Sequence, residues 1–344
     1  MKLIVTGGAG FIGSNFIRYW LTNYPQDKIL NLDVLTYAGN LPSLDDVVKK
    51  HSQNYQFVKG DITDFETVDK VVKDFQPDII VNFAAESHNS WAVINPTIFF
   101  KTNVMGTQNL LEVCRKNQVP RFHHISTCEV YGDLPLEGNR KFRETSPLKS
   151  RTPYNASKAA SDLAVRAYHE TYKLPVTISN CSNNYGPYQF PEKLIPLFVT
   201  NLLDDQKVNL YRSSQNRREW LHVTDHCRAI DLILKKGKIG ETYNIGSGVE
   251  KSVEEITAII LSELGKPESM KNYVEDRPGL DRRYLLDSSK IRKELGWRPE
   301  ISFKEGIKQT IHWYKENRAW WEPLKKRPTL SESGWKQKDK KKKD

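Results

Sequence analysis

Short apolar runs alternate along the first half of the chain with longer stretches in which apolar residues recur at helical spacing. The apolar runs lie at 2–6, 29–33, 55–58 and 78–84, and an apolar-flanked run at 122–125 is read as the next strand. Helical spacing begins at about Ser14 and recurs at 65–75 and 96–117. Apolar runs of about four to eight residues are typical of strands buried on both faces. Strands that alternate with helices predict a parallel, doubly wound α/β sheet.

A glycine-rich turn joins the first predicted strand to the first predicted helix. The segment TGGAGFIG places Gly7, Gly10 and Gly13 at three-residue spacing, which lets the backbone approach a pyrophosphate at a helix N-terminus. The second predicted strand ends in Asp33, whose carboxylate can accept hydrogen bonds from ribose hydroxyls and repels a 2′-phosphate. Together these features predict a Rossmann domain that binds NAD in preference to NADP.

Polar or small residues end several of the predicted strands. They are Thr6, Asp33, Asp61, Ala84 and Ser126. Ligands of a doubly wound sheet bind beyond the carboxyl ends of its strands. We therefore expect these residues to line one site.

After residue 175 the alternation becomes irregular. One more strand is predicted at 176–179, a loop rich in Asn, Gly and Pro at 181–196, and helices at about 252–264 and 304–317. We predict an NAD-binding domain at 1–180, to which part of the chain after 215 returns, and a smaller mixed C-terminal lobe at 181–322 that binds the substrate. A basic tail at 325–344 is expected to be disordered.

The net charge of +10 restricts the possible partners. The last ten residues hold six Lys and two Asp, so 6 − 2 = +4 lies in the tail and the remaining +6 suits an anionic small substrate. Because no basic helix or aromatic-studded sheet motif appears, we expect no nucleic-acid partner. No apolar run approaches ~18 residues and no leader is recognisable, which predicts a cytoplasmic protein without a membrane span.

The four cysteines are Cys114, Cys128, Cys181 and Cys227. None forms a CxxC pair, and none is spaced with His as in a metal site. We therefore expect reduced thiols and no bound metal.

Tyr154 and Lys158 are four residues apart and so lie on one face of a predicted helix. A free phenol has a pKa of about 10, and the Lys158 ammonium together with the positive nicotinamide ring of NAD is expected to lower the pKa of Tyr154. Tyr154 can then take a proton from a hydroxyl group while hydride leaves to NAD. Thr127, after the predicted strand at 122–125, is placed to hydrogen-bond the same oxygen.

At these residues the chain resembles the extended short-chain dehydrogenase/reductase superfamily and, within it, the dTDP-glucose 4,6-dehydratase family. The resemblance extends from Lys2 to about Trp321. The motifs that carry it are TGGAGFIGSNF, NFAAESH, TNVMGT, YNASKAASD, SNNYGPYQFPEKLIP, REWLHVTDH, GETYNIGSG, EDRPGLDRRY and ELGWRP. It implies a hydro-lyase of deoxysugar biosynthesis that regenerates tightly held NAD in each turnover. It also implies a nucleoside-diphosphate hexose as substrate and a homodimer through the helices near 98–116 and 154–172.

The resemblance also implies two sets of binding residues. The cofactor set is Gly7, Gly10, Phe11, Ile12, Gly13, Asp33, Thr36, Asp61, Ile62, Ala84, Ala85, Ser87, Thr102, Tyr154, Lys158 and Asn184. The substrate set is Ser87, Thr127, Asn183, Lys193, Leu194, Arg218, Asn244, Arg277 and Arg283. Arg218 and Arg277 are also suited to a diphosphate by their chemistry, because guanidinium pairs bidentately with phosphate oxygens.

Cys128 and Glu129 are the residues on which the product depends. The family oxidises the sugar at C4, Glu129 would remove the C5 proton, and an Asp before this Glu supplies a proton to the leaving C6 oxygen. Here that Asp is Cys128, and the usual Val-Asp-Arg-Ser after Ser-His is replaced by residues 89–92. A thiol with a pKa near ~8.5 is protonated at neutral pH, more firmly so beside Glu129, although it donates hydrogen bonds weakly. We hypothesise that Cys128 is the acid; the alternative is a small filler of space.

Four functions follow from this reading. The leading prediction is conversion of dTDP-glucose to dTDP-4-keto-6-deoxyglucose. Dehydratases with a Cys-Glu pair, as in tunicamycin biosynthesis, also resemble this site, return hydride to C4 and leave a 5,6-ene on UDP-N-acetylglucosamine. A nucleotide-sugar decarboxylase or 4-epimerase is a third possibility, and a non-enzymatic sugar-nucleotide sensor is a fourth, against which the intact Glu129, Tyr154 and Lys158 argue. The nucleotide base and the sugar stay open.

Overall fold

The computed structural model describes residues 1–327, so most of the predicted tail at 325–344 lies outside the described residues. The strands are β1 (Lys2–Thr6), β2 (Lys28–Asp33), β3 (Tyr55–Lys59), β4 (Ile79–Asn82), β5 (Phe122–Thr127), β6 (Val176–Cys181), β7 (Asn183–Tyr185), β8 (Val208–Tyr211), β9 (Arg217–His222), β10 (Thr242–Ile245), β11 (Glu250–Ser252) and β12 (Lys271–Val274).

The helices flank these strands. They are α1 (Phe11–Asn23), α2 (Asp45–His51), α3 (Phe65–Phe75), α4 (Asn89–Ile94), α5 (Pro96–Phe99), α6 (Thr107–Lys116), α7 (Pro153–Tyr172), α8 (Leu194–Leu203), α9 (Val223–Lys236), α10 (Val253–Leu264), α11 (Ser289–Leu295), α12 (Phe303–Glu316) and α13 (Arg318–Lys325). Short 3₁₀ turns cover Leu41–Leu44, Cys128–Tyr131 and Glu268–Met270. No helix among residues 1–327 is both long and apolar enough to cross a membrane.

Seven parallel strands form the central sheet in the order β10-β6-β5-β4-β1-β2-β3. The inner strands are almost entirely buried because helices cover both faces of the sheet. One face packs against α1 and α9 through residues such as Trp20 and Ile230, and the other against α3, α6 and α7 through residues such as Val72, Leu110 and Val165. The predicted doubly wound sheet is confirmed.

A second, smaller layer carries two minor sheets, β11-β9-β7 and β12-β8. Its core contains Phe198, Trp220, Ile260 and Trp321, which come from strands and helices of the chain's second half. Because β10 joins the central sheet beside β6, the chain returns to the first layer after building part of the second. The division of the chain at residue 180 stays a prediction.

Capping side chains fix where the helices that carry predicted site residues begin. Asp64 accepts a hydrogen bond from the Thr67 amide and begins α3, and Thr152 accepts one from the Asn155 amide and begins α7. The predicted boundaries of α3 match, whereas α1 begins at Phe11 rather than near Ser14. The helix predicted at 96–117 is also different: a π-helical segment, Phe100–Gly106, separates α5 from α6. Such segments are frequent at functional sites because they re-aim the side chains of one turn.

Candidate active site

The glycine turn between β1 and α1 packs directly against the end of β4. Gly7 has a φ of +68°, and a Cβ there would come within 2.6 Å of the Ala84 nitrogen. A Cβ at Gly13 would come within 2.4 Å of the Gly7 carbonyl oxygen. The turn therefore exposes bare backbone at the N-terminus of α1, which is the shape and polarity that a pyrophosphate requires.

Asp33 ends β2 beside this turn. Its carboxylate accepts from the Ala9 amide at 2.9 Å and from the Leu35 amide at 2.8 Å. Burial raises the pKa of Asp33, and these two amide hydrogen bonds oppose that shift. The carboxylate thus ties the glycine turn to the loop after β2, as expected for a group that must present a fixed oxygen to a ribose.

The other predicted cofactor residues lie around the same edge of the sheet. Gly10, Phe11 and Ile12 are at the start of α1, Thr36 is in the loop after β2, Asp61 and Ile62 follow β3, Ala84, Ala85 and Ser87 follow β4, Thr102 is in the π-helical segment, and Asn184 is in β7. Asn103, next to Thr102, holds the Glu86 backbone through its side-chain oxygen (2.8 Å) and nitrogen (3.0 Å). The π-helical segment therefore fixes the stretch after β4.

Tyr154 and Lys158 do lie on one face of α7, but they face different partners. Tyr154 is buried and hydrogen-bonds Thr127, at the end of β5. The Lys158 Nζ donates to the Ile125 carbonyl at 2.7 Å and lies 3.2 Å from the His124 Nε2. The predicted lowering of the Tyr154 pKa by Lys158 is not what the structure shows: burial, and then Glu129, raise that pKa well above its usual value.

A buried polar network surrounds Lys158. Burial lowers the pKa of Lys158 to about 8, and Asp162 opposes the shift. The His124 ring lies between Lys158 and Asn82, whose amide nitrogen is 3.2 Å from the His124 Nδ1. Sequence reasoning missed Asp162 and His124, although Asp162 follows Lys158 by one helical turn and that spacing was a usable signal.

Glu129 is held by a residue that departs from the family pattern. The Asn89 side-chain nitrogen donates to the Glu129 Oε2 at 3.1 Å, and the Asn89 oxygen accepts from the Thr152 hydroxyl at 2.9 Å. Burial, followed by the negative charge of Asp281, raises the pKa of Glu129. A carboxylate with a raised pKa is a stronger base than a solvated one. The negative charge of Glu129 raises the pKa of Tyr154, so the two side chains are close neighbours. Two proton-accepting groups therefore lie in one site.

Cys128 is almost completely buried. It packs in an apolar cluster that includes Val130, Leu134, Phe142 and Leu285. Burial and the neighbouring Glu129 raise the pKa of the thiol well above its usual value, in the direction predicted from the sequence. The thiol therefore keeps its proton at neutral pH.

The two arginines predicted to bind the diphosphate differ in whether their guanidinium groups already have partners in the protein. Arg277 is 8% exposed, and its Nη1 has no hydrogen-bond partner within residues 1–327. Arg218 donates to the Asp281 carbonyl at 2.8 Å, and its guanidinium lies 4.9 Å from the centre of the Tyr284 ring. A buried guanidinium nitrogen without a partner is costly unless a ligand satisfies it, so Arg277 is the stronger candidate for an anion contact.

The remaining predicted substrate contacts divide into two groups. Lys193 donates to the Ser87 carbonyl at 3.0 Å, and Leu194 and Asn183 begin α8 and β7 at the same edge. Arg283 and Asn244 instead turn into the protein. The Arg283 guanidinium binds both oxygens of Glu250 and the Gly138 carbonyl, and the Asn244 amide joins the Tyr131 hydroxyl to the Phe142 carbonyl. In this structure the hydrogen-bond partners of both side chains are protein groups, and their predicted contact with a substrate stays a prediction.

Comparison with known proteins identifies the family. Residues 4–310 match the family model described as GDP-mannose 4,6 dehydratase. A curated dTDP-glucose 4,6-dehydratase from Streptomyces niveus is 49% identical over 329 residues, which cover 94% of this chain and 96% of the relative. One from Salmonella typhimurium is 45% identical over 343 residues, with 93% and 94% covered. The chain belongs to the dTDP-glucose 4,6-dehydratase family.

Solved structures of this dehydratase family have the same fold. The dTDP-glucose 4,6-dehydratase of Streptomyces venezuelae, with NAD and TYD bound, is 50% identical with a TM-score of 0.90, covering 94% of this chain and 100% of that chain. The enzyme of Bacillus anthracis in complex with NAD is 48% identical with a TM-score of 0.87, covering 94% and 99%. A UDP-glucose 4-epimerase of Thermotoga maritima is more distant, at 27% identity and a TM-score of 0.85, covering 92% and 100%. The predicted family is confirmed.

Proposed function

We propose that the protein is an NAD-dependent hydro-lyase that converts dTDP-glucose to dTDP-4-keto-6-deoxyglucose. The observation that carries this proposal is the meeting of Tyr154, Thr127 and Glu129 beyond β5, in a chain 49% identical to a dTDP-glucose 4,6-dehydratase over nearly its whole length. Those three groups are what oxidation at C4 and proton removal at C5 require.

The residues at the sheet edge fit NAD. No Cβ fits at Gly7 or Gly13, so the turn packs closely against Ala84 and brings backbone amides to the N-terminus of α1, and Asp33 offers an oxygen for ribose hydroxyls. When bound there, NAD supplies a hydride acceptor at C4 and later returns the hydride. The chain's own part is to hold the cofactor against β4, to keep water out and to place Tyr154 near the C4 hydroxyl.

The elimination needs two proton transfers by this chain. Glu129 takes the C5 proton, the C6–O bond breaks, and the C6 oxygen leaves as water after receiving one proton. We assign that proton to Cys128, which is protonated at neutral pH and adjoins Glu129 in the chain. Arg277 would bind the diphosphate with its unpartnered nitrogen.

Substrate turnover tests the proposal. The protein is incubated separately with dTDP-glucose, UDP-glucose, UDP-glucuronate and UDP-N-acetylglucosamine, and product masses are followed. Loss of one water from dTDP-glucose, with a product that borohydride reduces as a ketone, is the expected result. Loss of carbon dioxide from a uronate would indicate a decarboxylase, and a changed sugar of unchanged mass an epimerase. Binding without any conversion would indicate a sensor.

The Cys128–Glu129 pair favours one second candidate. A 5,6-dehydratase would return the hydride to C4 and release an exo-glycal from UDP-N-acetylglucosamine. Both reactions lose one water, so the products are separated by borohydride, which reduces the 4-ketone and leaves the 5,6-ene unchanged. Water loss from UDP-N-acetylglucosamine alone, without a ketone, would replace the leading proposal by this one.

Substitutions at Cys128 test whether its thiol is the acid or whether the residue only fills space in the core. We expect Cys128→Ala and Cys128→Ser to lower the rate of water loss on the order of 10²-fold, because each lacks a comparable proton donor. Cys128→Asp should restore turnover, since it supplies the carboxylic acid of the family pattern. Steady-state rates with dTDP-glucose decide the point. Undiminished turnover by Cys128→Ser would rule out the thiol as the acid.

We also propose a homodimer through the helices near 98–116 and 154–172. These neighbouring helices expose large apolar side chains at Ile98, Phe100, Met105 and Leu163, of which Met105 is 54% and Leu163 57% exposed. Apolar side chains clustered on adjacent helices are typical of an interface that another copy covers.

The double substitution Met105→Glu and Leu163→Glu tests the dimer. Two charges placed in the covered surface should leave a monomer in light-scattering measurements, because an unpaired buried charge is costly. Val48→Glu is the matched control, since Val48 is 47% exposed and lies in α2, which packs against α1 and β3. A double variant with the mass of the unmodified protein would contradict the proposed interface.

A further inference from the structure

The loop between Asp33 and the 3₁₀ turn at Leu41 lies against the glycine turn. The Asn40 amide donates to the Ala9 carbonyl at 2.9 Å, and the Ala9 amide donates to the Asp33 carboxylate at 2.9 Å. The loop, residues 34–40, includes Thr36, a predicted cofactor contact. Where this loop sits therefore determines the geometry of the proposed ribose site.

One side chain from the far end of the described chain holds this loop. The Arg327 Nη1 donates to the Tyr37 carbonyl at 3.0 Å and to the Gly39 carbonyl at 2.9 Å. Its Nη2 donates to the Asn40 side-chain oxygen at 2.9 Å. A planar guanidinium can reach three acceptors of one loop in a fixed geometry, which a lysine ammonium reproduces poorly.

Arg327 is delivered by a firmly anchored helix. In α13, Trp321 is fully buried and donates its indole N–H to the Tyr314 carbonyl at 2.7 Å. The Lys325 ammonium at the end of α13 pairs with Asp204 at 2.6 Å. This anchoring holds residues 325–327, the first three of the predicted tail, and the rest of that tail lies outside the described residues. Because the anchors lie in the second layer, Arg327 ties the loop to a part of the molecule that does not depend on it.

We propose that Arg327 is a positioning residue for NAD: it holds loop 34–40 against the glycine turn and thereby slows release of the cofactor. This inference rests on the proposed NAD-dependent function. Opening the loop outward requires the loss of three hydrogen bonds from a charged donor, which are stronger than those between neutral groups. Tyr37 adds a second tie, through its hydroxyl to the Glu192 carboxylate at 3.0 Å, so removal of Arg327 loosens one side of the loop without unfolding it.

Two measurements on the full chain test Arg327. Hydrogen exchange of the Gly39 and Asn40 amides is followed in NAD-free protein, because these amides donate to Thr36 and Ala9 within the held loop. The dissociation rate of NAD is followed separately, without substrate. Arg327→Ala should speed both on the order of tenfold, and Arg327→Lys by less. Lys326→Ala, which removes the same charge from an exposed neighbour, should leave both unchanged.

The outcomes distinguish three situations. Equal exchange and equal NAD release in Arg327→Ala and Lys326→Ala would overturn the inference. A lower melting temperature of Arg327→Ala without faster release would also overturn it, because Arg327 would then only fasten the C-terminal helix. If the unmodified protein takes up no NAD, the proposed function and the cofactor role of Arg327 both fail, and the exchange of Gly39 and Asn40 still shows whether Arg327 holds the loop.

Discussion

Replacing Tyr154 with phenylalanine should lower kcat with dTDP-glucose by about 10²- to 10⁴-fold, the range typical for loss of a catalytic proton-transfer group. Phenylalanine keeps the ring, which packs edge-on against Phe99 with centroids 6.3 Å apart. Nucleotide-sugar binding should therefore change little. Steady-state kinetics with a parallel binding titration will show whether the loss is confined to kcat.

The phenol needs help to act as a base. Burial raises the pKa of Tyr154 well above its usual value, so without ligands the phenol is protonated at neutral pH. A positive charge must approach before Tyr154 can accept the C4 hydroxyl proton, and Lys158 is one helical turn away. For this the Lys158 ammonium, which donates to the Ile125 carbonyl at 2.7 Å, would turn toward Tyr154.

Tyr172→Phe provides the control, because Tyr172 lies at the exposed end of the same helix, α7. Its kcat should equal that of the unmodified enzyme. A Tyr154→Phe enzyme that keeps the unmodified rate would show that another group accepts the C4 hydroxyl proton.

The buried strands of the sheet could be predicted from the sequence, whereas several other elements could not. Both faces of β1 and β4 are covered, so their apolar runs are visible without any partner. The strands β7 and β11 have three residues each and exist only because β9, distant in sequence, pairs with them. The π-helical segment at 100–106 leaves the apolar periodicity almost unchanged, since it shifts backbone hydrogen bonds by only one residue.

The sequence predicts which residues come together in the site. It does not predict which atoms these residues contact. Asp33 and Thr127 are the last residues of β2 and β5, and parallel strands bring such ends to one edge of the sheet. The Lys158 partner is a strand carbonyl, and the Arg283 partner is Glu250 in β11; neither pairing follows from local spacing. Asn89 lies in the segment that departs from the family pattern, and it holds Glu129 through a contact between residues 40 positions apart, which the sequence did not indicate.

Replacing Glu129 with glutamine should stop the reaction after oxidation at C4. Glutamine keeps an oxygen that can accept from the Asn89 amide, but it cannot accept the C5 proton. Water loss should fall by about 10²- to 10⁴-fold, while reduced NAD accumulates on the enzyme and is visible by its absorbance. A single-turnover experiment that follows both signals separates the two steps.

The pH dependence of water loss tests Glu129 without removing its carboxylate. Glu129 acts in its carboxylate form, so the rate should fall as the pH drops through the Glu129 pKa, which burial raises above that of a solvated glutamate. The hydrogen bond from Asn89 lowers this pKa, so Asn89→Ala should move the acid limb of the rate profile to higher pH while the plateau rate is largely kept. An acid limb that stays in place in Asn89→Ala, or water loss at the unmodified rate in Glu129→Gln, would assign the C5 base to another carboxylate. Asp281, whose charge already raises the Glu129 pKa, would be the first group to examine.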